Sequence, residues 1–259
     1  EALYYAIRAA EILDVDHEKR QQWREMAEHL PELQTGRHGQ LQEWNEDFED
    51  DETSHRHFSH LIGFYPRDML VPERTPALWR AAEISLERRL AAGVSVAGWS
   101  GAWAACMFAR LGRSADAWNH LSYLVSSNTT DSLLNTSFSG IFNIEGNLGG
   151  AAAVIEMLLQ SYHSELHFLP ALPAAWPEGR ALGLRARGGF ELDIEWEAGK
   201  LSKAAIRSEQ GNMCRLRPST PITVMRDSRK IEIEEIEKGL VEFPTEKGQE
   251  YLVVPKAQL

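Results

Sequence analysis

The 259 residues are enough for one large domain or two ordinary ones, and a hydrophobic content of 43% allows a sizeable core. A net charge of −11 with a pI near 5.3 argues against nucleic acid or an anionic membrane as partner, because phosphate binding needs clustered Lys and Arg. No stretch approaches the ~20 consecutive apolar residues of a membrane span. Glu1 opens directly on an amphipathic pattern, with no basic and apolar leader, and the compartment stays open between cytoplasmic and secreted. Eight Trp in an acidic chain suit a neutral polar ligand that stacks on aromatic faces, although core packing is the commoner fate of Trp. Cys106 and Cys214 lie far apart and read as buried free thiols.

In chain order, Leu3, Ala6, Ile7, Ala10 and Leu13 predict a helix over 2–13. Asp16 reads as the cap of a second helix, about 17–29, which Pro31 stops. Residues 30–75 are mostly irregular. Thr75-Pro76 starts a helix to about Leu90. Trp99, Trp103, Met107, Phe108 and Leu111 share a face of the next, with Gly112 at its C-terminal end. Ser114 reads as the cap of a helix to about Val125, and a last helix is expected over 147–162. Six helices joined by alternately short and long loops fit part of a helical-hairpin toroid. From Leu166 the period changes. A Pro-rich link is followed by the alternation Phe190, Leu192, Ile194, Trp196 and by strands at 201–206, 213–216, 222–225, 231–236, 240–243 and 251–254. That spacing predicts an antiparallel β-sandwich. The fold class is mainly α with a C-terminal β-domain, divided into 1–170 and 171–259.

Two polar stretches carry the candidate chemistry. In Gly39–Pro66 a long irregular segment with Trp44, Phe48, Phe58, Phe64 and Tyr65 suggests an ordered wall of a site. His55, His57 and His60 fall within six residues of each other. They read as neutral donors to a sugar hydroxyl, as structural histidines, or as a metal site, the last disfavoured by Arg56 between them. In an extended backbone His55 and His57 share a side and Arg56 takes the other. The acids from Glu46 to Glu52 read as a solvated face. Glycoside hydrolysis ordinarily uses two carboxylates, and Glu43 and Glu145 each sit in a polar loop flanked by aromatics. Glu145 stands just before a helix start, where the dipole favours its ionised form. The alternatives are a plain helix-terminal charge for Glu145 and a structural ion pair for Glu43. Gly146, Gly149 and Gly150 lack the Lys of a phosphate loop, and read instead as room for close helix approach or ligand access.

Five strings carry a resemblance: GQLQEW at 39–44, HRHFSHLIGFYP at 55–66, GWSGAWAACMFARLG at 98–112, FNIEGNLGGAAAVIEMLLQS at 142–161 and HFLPALPAAWPEGRALGLRARGGFELDIEW at 167–196. In order and spacing the chain resembles glycoside hydrolase family 95, the inverting 1,2-α-L-fucosidases and their relatives. The resemblance implies the second half of an (α/α)6 barrel followed by a β-domain, with no metal and no organic cofactor. It also implies a fucosylated oligosaccharide or polysaccharide as substrate, and the N-terminal half of the same barrel as partner. The general acid and the water-positioning asparagines belong to that upstream half. Position 145 matches an Asp of the family's I-D-G-N motif that supports water activation, but here it is Glu, one methylene longer. A displacement of about 1 Å at such a place can cost on the order of 10²-fold in rate. The family's Phe after G-N is Leu148. His57, with His55 second, matches the sugar-contacting histidine; Glu43 and Trp44 become site wall, and Asn147 a further substrate contact. The rival expectation is a non-catalytic carbohydrate-binding protein.

Overall fold

The structure is a computed structural model that describes residues 2–49, 53–93, 98–137 and 140–256. Asp50, Asp51 and Glu52 of the acid run, Phe138 and Ser139 of the second polar stretch, and Glu1 lie outside the described residues. Among the described residues, six α-helices precede a β-rich region: α1 Ala2–Leu13, α2 His17–Glu28, α3 Pro76–Ala91, α4 Trp99–Arg110, α5 Ser114–Ser127 and α6 Ile144–Leu158. Helices first and sheets after is the order expected from the sequence. The chain forms two compact units, residues 1–94 and 95–259.

In the first unit α1 packs on α2. A 3₁₀ turn, Ser59–Gly63, with its flanking residues supplies Phe58, Leu61 and Phe64 to the interior, the following loop Leu70, and α3 Ala81, Ala82 and Leu86. Phe64 meets Trp79 edge-on with ring centroids 4.7 Å apart. The irregular segment is tied down by polar contacts. Leu41 donates its amide to Ala81 O and Ser85 Oγ of α3. Asp47 accepts from the Arg37 amide at 2.7 Å and from Arg37 Nε at 3.0 Å. Both contacts hold the Asp47 carboxyl below the usual carboxylate range. Asp47 is thus a loop staple rather than part of a solvated face. Thr75 turns its hydroxyl back to Val71 instead of capping α3, and Asp16 makes no side-chain cap bond to α2.

In the second unit α4 packs closely on both α5 and α6. Ser100, Gly101, Ala102, Ala104, Ala105 and Ala109 on α4 are buried, and their small volume permits close approach. A Cβ on Gly149 of α6 would stand 2.8 Å from the Ala102 Cβ. Gly112, with φ +70°, follows Leu111, the C-cap of α4. Ser114 is the first residue of α5, and Arg113 precedes it at the cap. α6 starts three residues before the predicted 147 and ends four before 162, because Asn143 provides the cap and the chain turns extended at Leu159.

The β-region comprises β1 Leu159–Gln160, β2 Glu165–Phe168, β3 Gly179–Ala186, β4 Phe190–Glu197, β5 Lys200–Ser208, β6 Cys214–Leu216, β7 Ile222–Arg226, β8 Arg229–Ile231, β9 Glu234–Glu237, β10 Leu240–Phe243 and β11 Glu250–Pro255. One sheet runs β1-β2-β6-β10-β9, the other β3-β4-β5-β11-β7-β8. Leu166, Phe168, Cys214 and Phe243 of the first and Leu192, Ile194, Ile206, Val224 and Val253 of the second share one core, as in a sandwich. Pairing is antiparallel except for β2 with β6. β2 is not joined to β6 by a hairpin, so nothing forces the antiparallel sense there. The strand predicted over 231–236 is divided between β8 and β9.

Candidate active site

The first unit gathers one cluster around Arg89. Ala81, Ala82, Ser85, Leu86 and Arg89 form the buried stripe of α3, so helical spacing alone carries this Arg inward. Its side chain is 6% exposed. Nη2 donates to Glu43 Oε2 at 2.6 Å and Nη1 to the His55 carbonyl at 3.1 Å. One guanidinium therefore fixes both the Glu43 loop and the histidine loop, using the fork geometry that Lys lacks. Glu43 is the partner of a buried cation, and its side chain keeps 29% exposure. His60 Nδ1 lies 3.5 Å from the same Glu43 oxygen. Burial, then the positive charge of Arg89, lowers the pKa of His60 to about 4. It is neutral at physiological pH.

The His55 and His57 rings meet edge-on with centroids 4.6 Å apart, and Arg56 is exposed. The two rings are therefore neighbours, while the chain bends at Arg56. The pKa of His57 is lowered by partial burial and by the nearby charges of His55, Arg56 and Arg89. A neutral imidazole can both donate to and accept from a hydroxyl. Among the described residues no group of three or more His, Cys, Asp or Glu is arranged to hold a metal ion. A pocket of about 310 Å³ is lined by Glu43, Trp44, Phe48, His60 and Arg89 among others. Trp44 and Phe48 are 65% and 62% exposed. Their faces are open, and such faces can stack on a sugar ring.

The second unit holds the other candidates on the first turn of α6. Glu145 lies inside that turn, not before it. Its carboxylate is exposed, and Oε2 accepts from Asn143 Nδ2 at 2.7 Å. Asn147 serves the preceding loop. Its Oδ1 accepts from the Asn135 amide at 2.8 Å, and its Nδ2 donates to Leu133 O at 2.8 Å. Asn147 therefore braces the loop that ends at α6. A Cβ at Gly146 would run into Asn135 Oδ1, and one at Gly98 would stand 2.6 Å from Asn143 Oδ1.

Glu43, His55 and His57 are thus brought together in one unit, with Trp44 on the rim of the adjoining pocket. Glu145 and Asn147 share a helical turn in the other unit. Arg89 and Asn143 were missed from the sequence. The signal for Arg89 was its place on an apolar helical stripe. The signal for Asn143 was a capping residue three positions before Gly146, obscured by the late helix start assigned to this stretch.

Residues 1–158 match the profile of the glycosyl hydrolase family 95 catalytic domain, and residues 160–253 that of the glycoside hydrolase family 95 C-terminal domain. The chain is similar to "Alpha-L-fucosidase 2" of Arabidopsis thaliana, 40% identical over 193 residues, covering 70% of this chain and 22% of that protein. It is also similar to "Probable alpha-fucosidase A" of Aspergillus oryzae, 33% identical over 218 residues, covering 73% of this chain and 30% of that protein. The chain thus spans between 22% and 30% of the length of these relatives. Among solved structures, a family 39 glycoside hydrolase from Bacteroides cellulosilyticus aligns at a TM-score of 0.25 and 10% identity, over 58% of this chain and 30% of that one. A likeness of that size carries no argument about the fold.

Proposed function

The chain belongs to glycoside hydrolase family 95, and from that premise we propose that it is the C-terminal part of an α-L-fucosidase. The enzyme removes terminal α-L-fucose, or the related α-L-galactose, from a glycan with inversion of configuration. The observation that carries this reading is the catalytic-domain match over residues 1–158, joined to similarity with proteins named as α-fucosidases. On this reading residues 1–170 hold half of an (α/α)6 barrel and end in β1 and β2, and 171–259 complete the β-sandwich those strands join. The other half-barrel, upstream, completes the pocket and supplies the general acid.

Each candidate then has a physical task. Neutral His57, with His55 against it, exchanges hydrogen bonds with sugar hydroxyls, and the open face of Trp44 stacks on an apolar sugar face. Glu43 forms wall rather than acid, because its Oε2 is committed to the buried Arg89 guanidinium at 2.6 Å. Glu145 supports the amides that orient the attacking water. Its place in the first turn of α6, bonded to Asn143 Nδ2 at 2.7 Å, gives that carboxylate a fixed partner. Asn147 is a further substrate contact on this reading, beside its task of bracing its own loop.

A second reading is favoured by one residue. Glu at 145, where the family motif carries Asp, suits a protein that binds fucosylated glycans without cleaving them. To separate the two, the intact protein containing this chain is incubated with a 1,2-fucosylated oligosaccharide, and free fucose is measured beside binding calorimetry. Release of fucose, lost in Glu145→Gln, is the expected result. Binding without release from a folded sample would establish the second reading in its place.

A further inference from the structure

We infer that Asn143 is the positioning residue for the Glu145 carboxylate, an inference that rests on the role proposed above for Glu145. The Asn143 side chain has two ends with different partners. Its Oδ1 accepts from the Trp99 amide at 2.7 Å and from the Gly146 amide at 3.2 Å. Those N–H groups can only donate, so they dictate which end of the amide faces them. The Nδ2 end is thereby turned outward, and it donates to Glu145 Oε2 at 2.7 Å. The amide cannot flip without setting an NH₂ group against two N–H donors.

The surroundings leave this amide little latitude. Gly98 (φ +60°) comes so close that a Cβ there would stand 2.6 Å from Asn143 Oδ1. On the other side of the same turn Asn135 is 1% exposed, and its buried Oδ1 finds no hydrogen-bond partner among the described residues. It occupies the space a Gly146 side chain would need. The first turn of α6 is thus held from α4 by Trp99 and from the preceding loop by Asn135. Asn143 transmits that rigidity to a side chain that is otherwise exposed. Glu has one more rotatable bond than Asp, and a donor fixed two residues upstream removes much of that freedom.

Asn, Asp and Ser are near-equal as helix caps, so capping can be separated from positioning. In Asn143→Asp an oxygen remains to accept from Gly146 and Trp99 and no donor faces Glu145; in Asn143→Ser the hydroxyl oxygen keeps the cap, and its O–H, on a side chain two heavy atoms shorter, does not take the place of Nδ2 against Glu145. Fucose release by the intact protein is measured for both, with melting temperature as the check on folding. The expected result is a fall in kcat of about tenfold or more, with KM within about twofold and an unchanged melting temperature. Asn143→Asp falls further than Asn143→Ser, because it sets a second carboxylate against the first. Parental kcat in both variants would overturn the inference and leave Asn143 a cap only. Glu145→Gln is measured alongside. If it too turns over at the parental rate, the role of Glu145 itself is wrong. If it loses activity while both Asn143 variants keep theirs, only the positioning role fails. An intact protein that binds but releases no fucose overturns both.

Discussion

At the scale of single residues, the histidine loop depends on two buried groups that are not themselves proposed to touch sugar. Arg89→Met would keep the volume of the stem and remove the charge, leaving Glu43 facing an apolar side chain and the His55 carbonyl without its donor. Removing one partner of a buried pair typically costs about 3–5 kcal/mol. Glu43 is 29% exposed, so water recovers part of that and the lower end, about 3 kcal/mol, is expected. Glu43→Gln leaves the Arg89 charge without its carboxylate but keeps an amide oxygen for Nη2 and the bond to the His55 carbonyl, and is expected to cost less, about 2 kcal/mol. Urea denaturation of the two variants tests the order, and equal midpoints would remove Arg89 from this role. His60 adds a pH term. Its pKa is lowered from an ordinary 6.5 to about 4, so between those values the unfolded chain binds a proton that the folded chain refuses. Stability is therefore full above about pH 6.5 and declines as pH falls toward 4, with about 2 kcal/mol lost at pH 5. His60→Gln should flatten that slope in urea midpoints measured between pH 7 and pH 5. An unchanged slope would move its origin to other groups.

At the scale of elements, α6 is fastened to α4 by the absence of side-chain volume. Ala at Gly149 would gain about 1 kcal/mol of helix propensity. Its Cβ would also press on Ala102 at 2.8 Å, and overpacking of that kind costs about 1–3 kcal/mol. The clash is expected to win, because the contact lies between two short side chains with no flexible end to move aside. Gly149→Ala should thus lower the melting temperature, and a rise would show that the helices relax apart cheaply. The same elements mark what was legible in the sequence. α1 fell on 2–13 as predicted, and β4 followed its alternation, because each has a strong local period and a chemical boundary. β3 was missed: GRALGLRA is a sheet-edge strand with no regular apolar face. β2 reads as linker in the sequence because only Leu169 separates its four residues from Pro170. The histidine cluster was visible from composition. Its attachment to Arg89 was not, since a bond between positions 34 apart leaves no periodic trace. Asn143 was hidden for a local reason, a helix start placed four residues after the true cap.

For the whole molecule, the strongest physical constraint is apolar surface left in water. In the second unit Leu133, Ile141, Phe142, Ile144 and Leu148 cluster in sequence around the start of α6, and Leu133, Ile141 and Leu148 are each at least 66% exposed. In the first unit Tyr4, Ile12 and Leu13 on α1 are each at least 64% exposed. Single exposed apolar residues are ordinary, but several in one short stretch are the usual mark of a surface that another surface covers. If an upstream half-barrel is that cover, the 259 residues expressed alone should self-associate. The net charge of −11 opposes association through long-range repulsion, and salt screens that repulsion. Apolar contact is not weakened by salt. Association of the isolated chain is therefore expected to rise with ionic strength, the reverse of what ion pairing would give. Sedimentation velocity over a range of protein and salt concentrations reads this directly. Leu148→Ser together with Ile141→Ser should reduce it, as should joining the upstream segment to the same chain. A monomer at every concentration and salt level would mean that these side chains are accommodated within the 259 residues, and the proposed half-barrel division would lose its physical support.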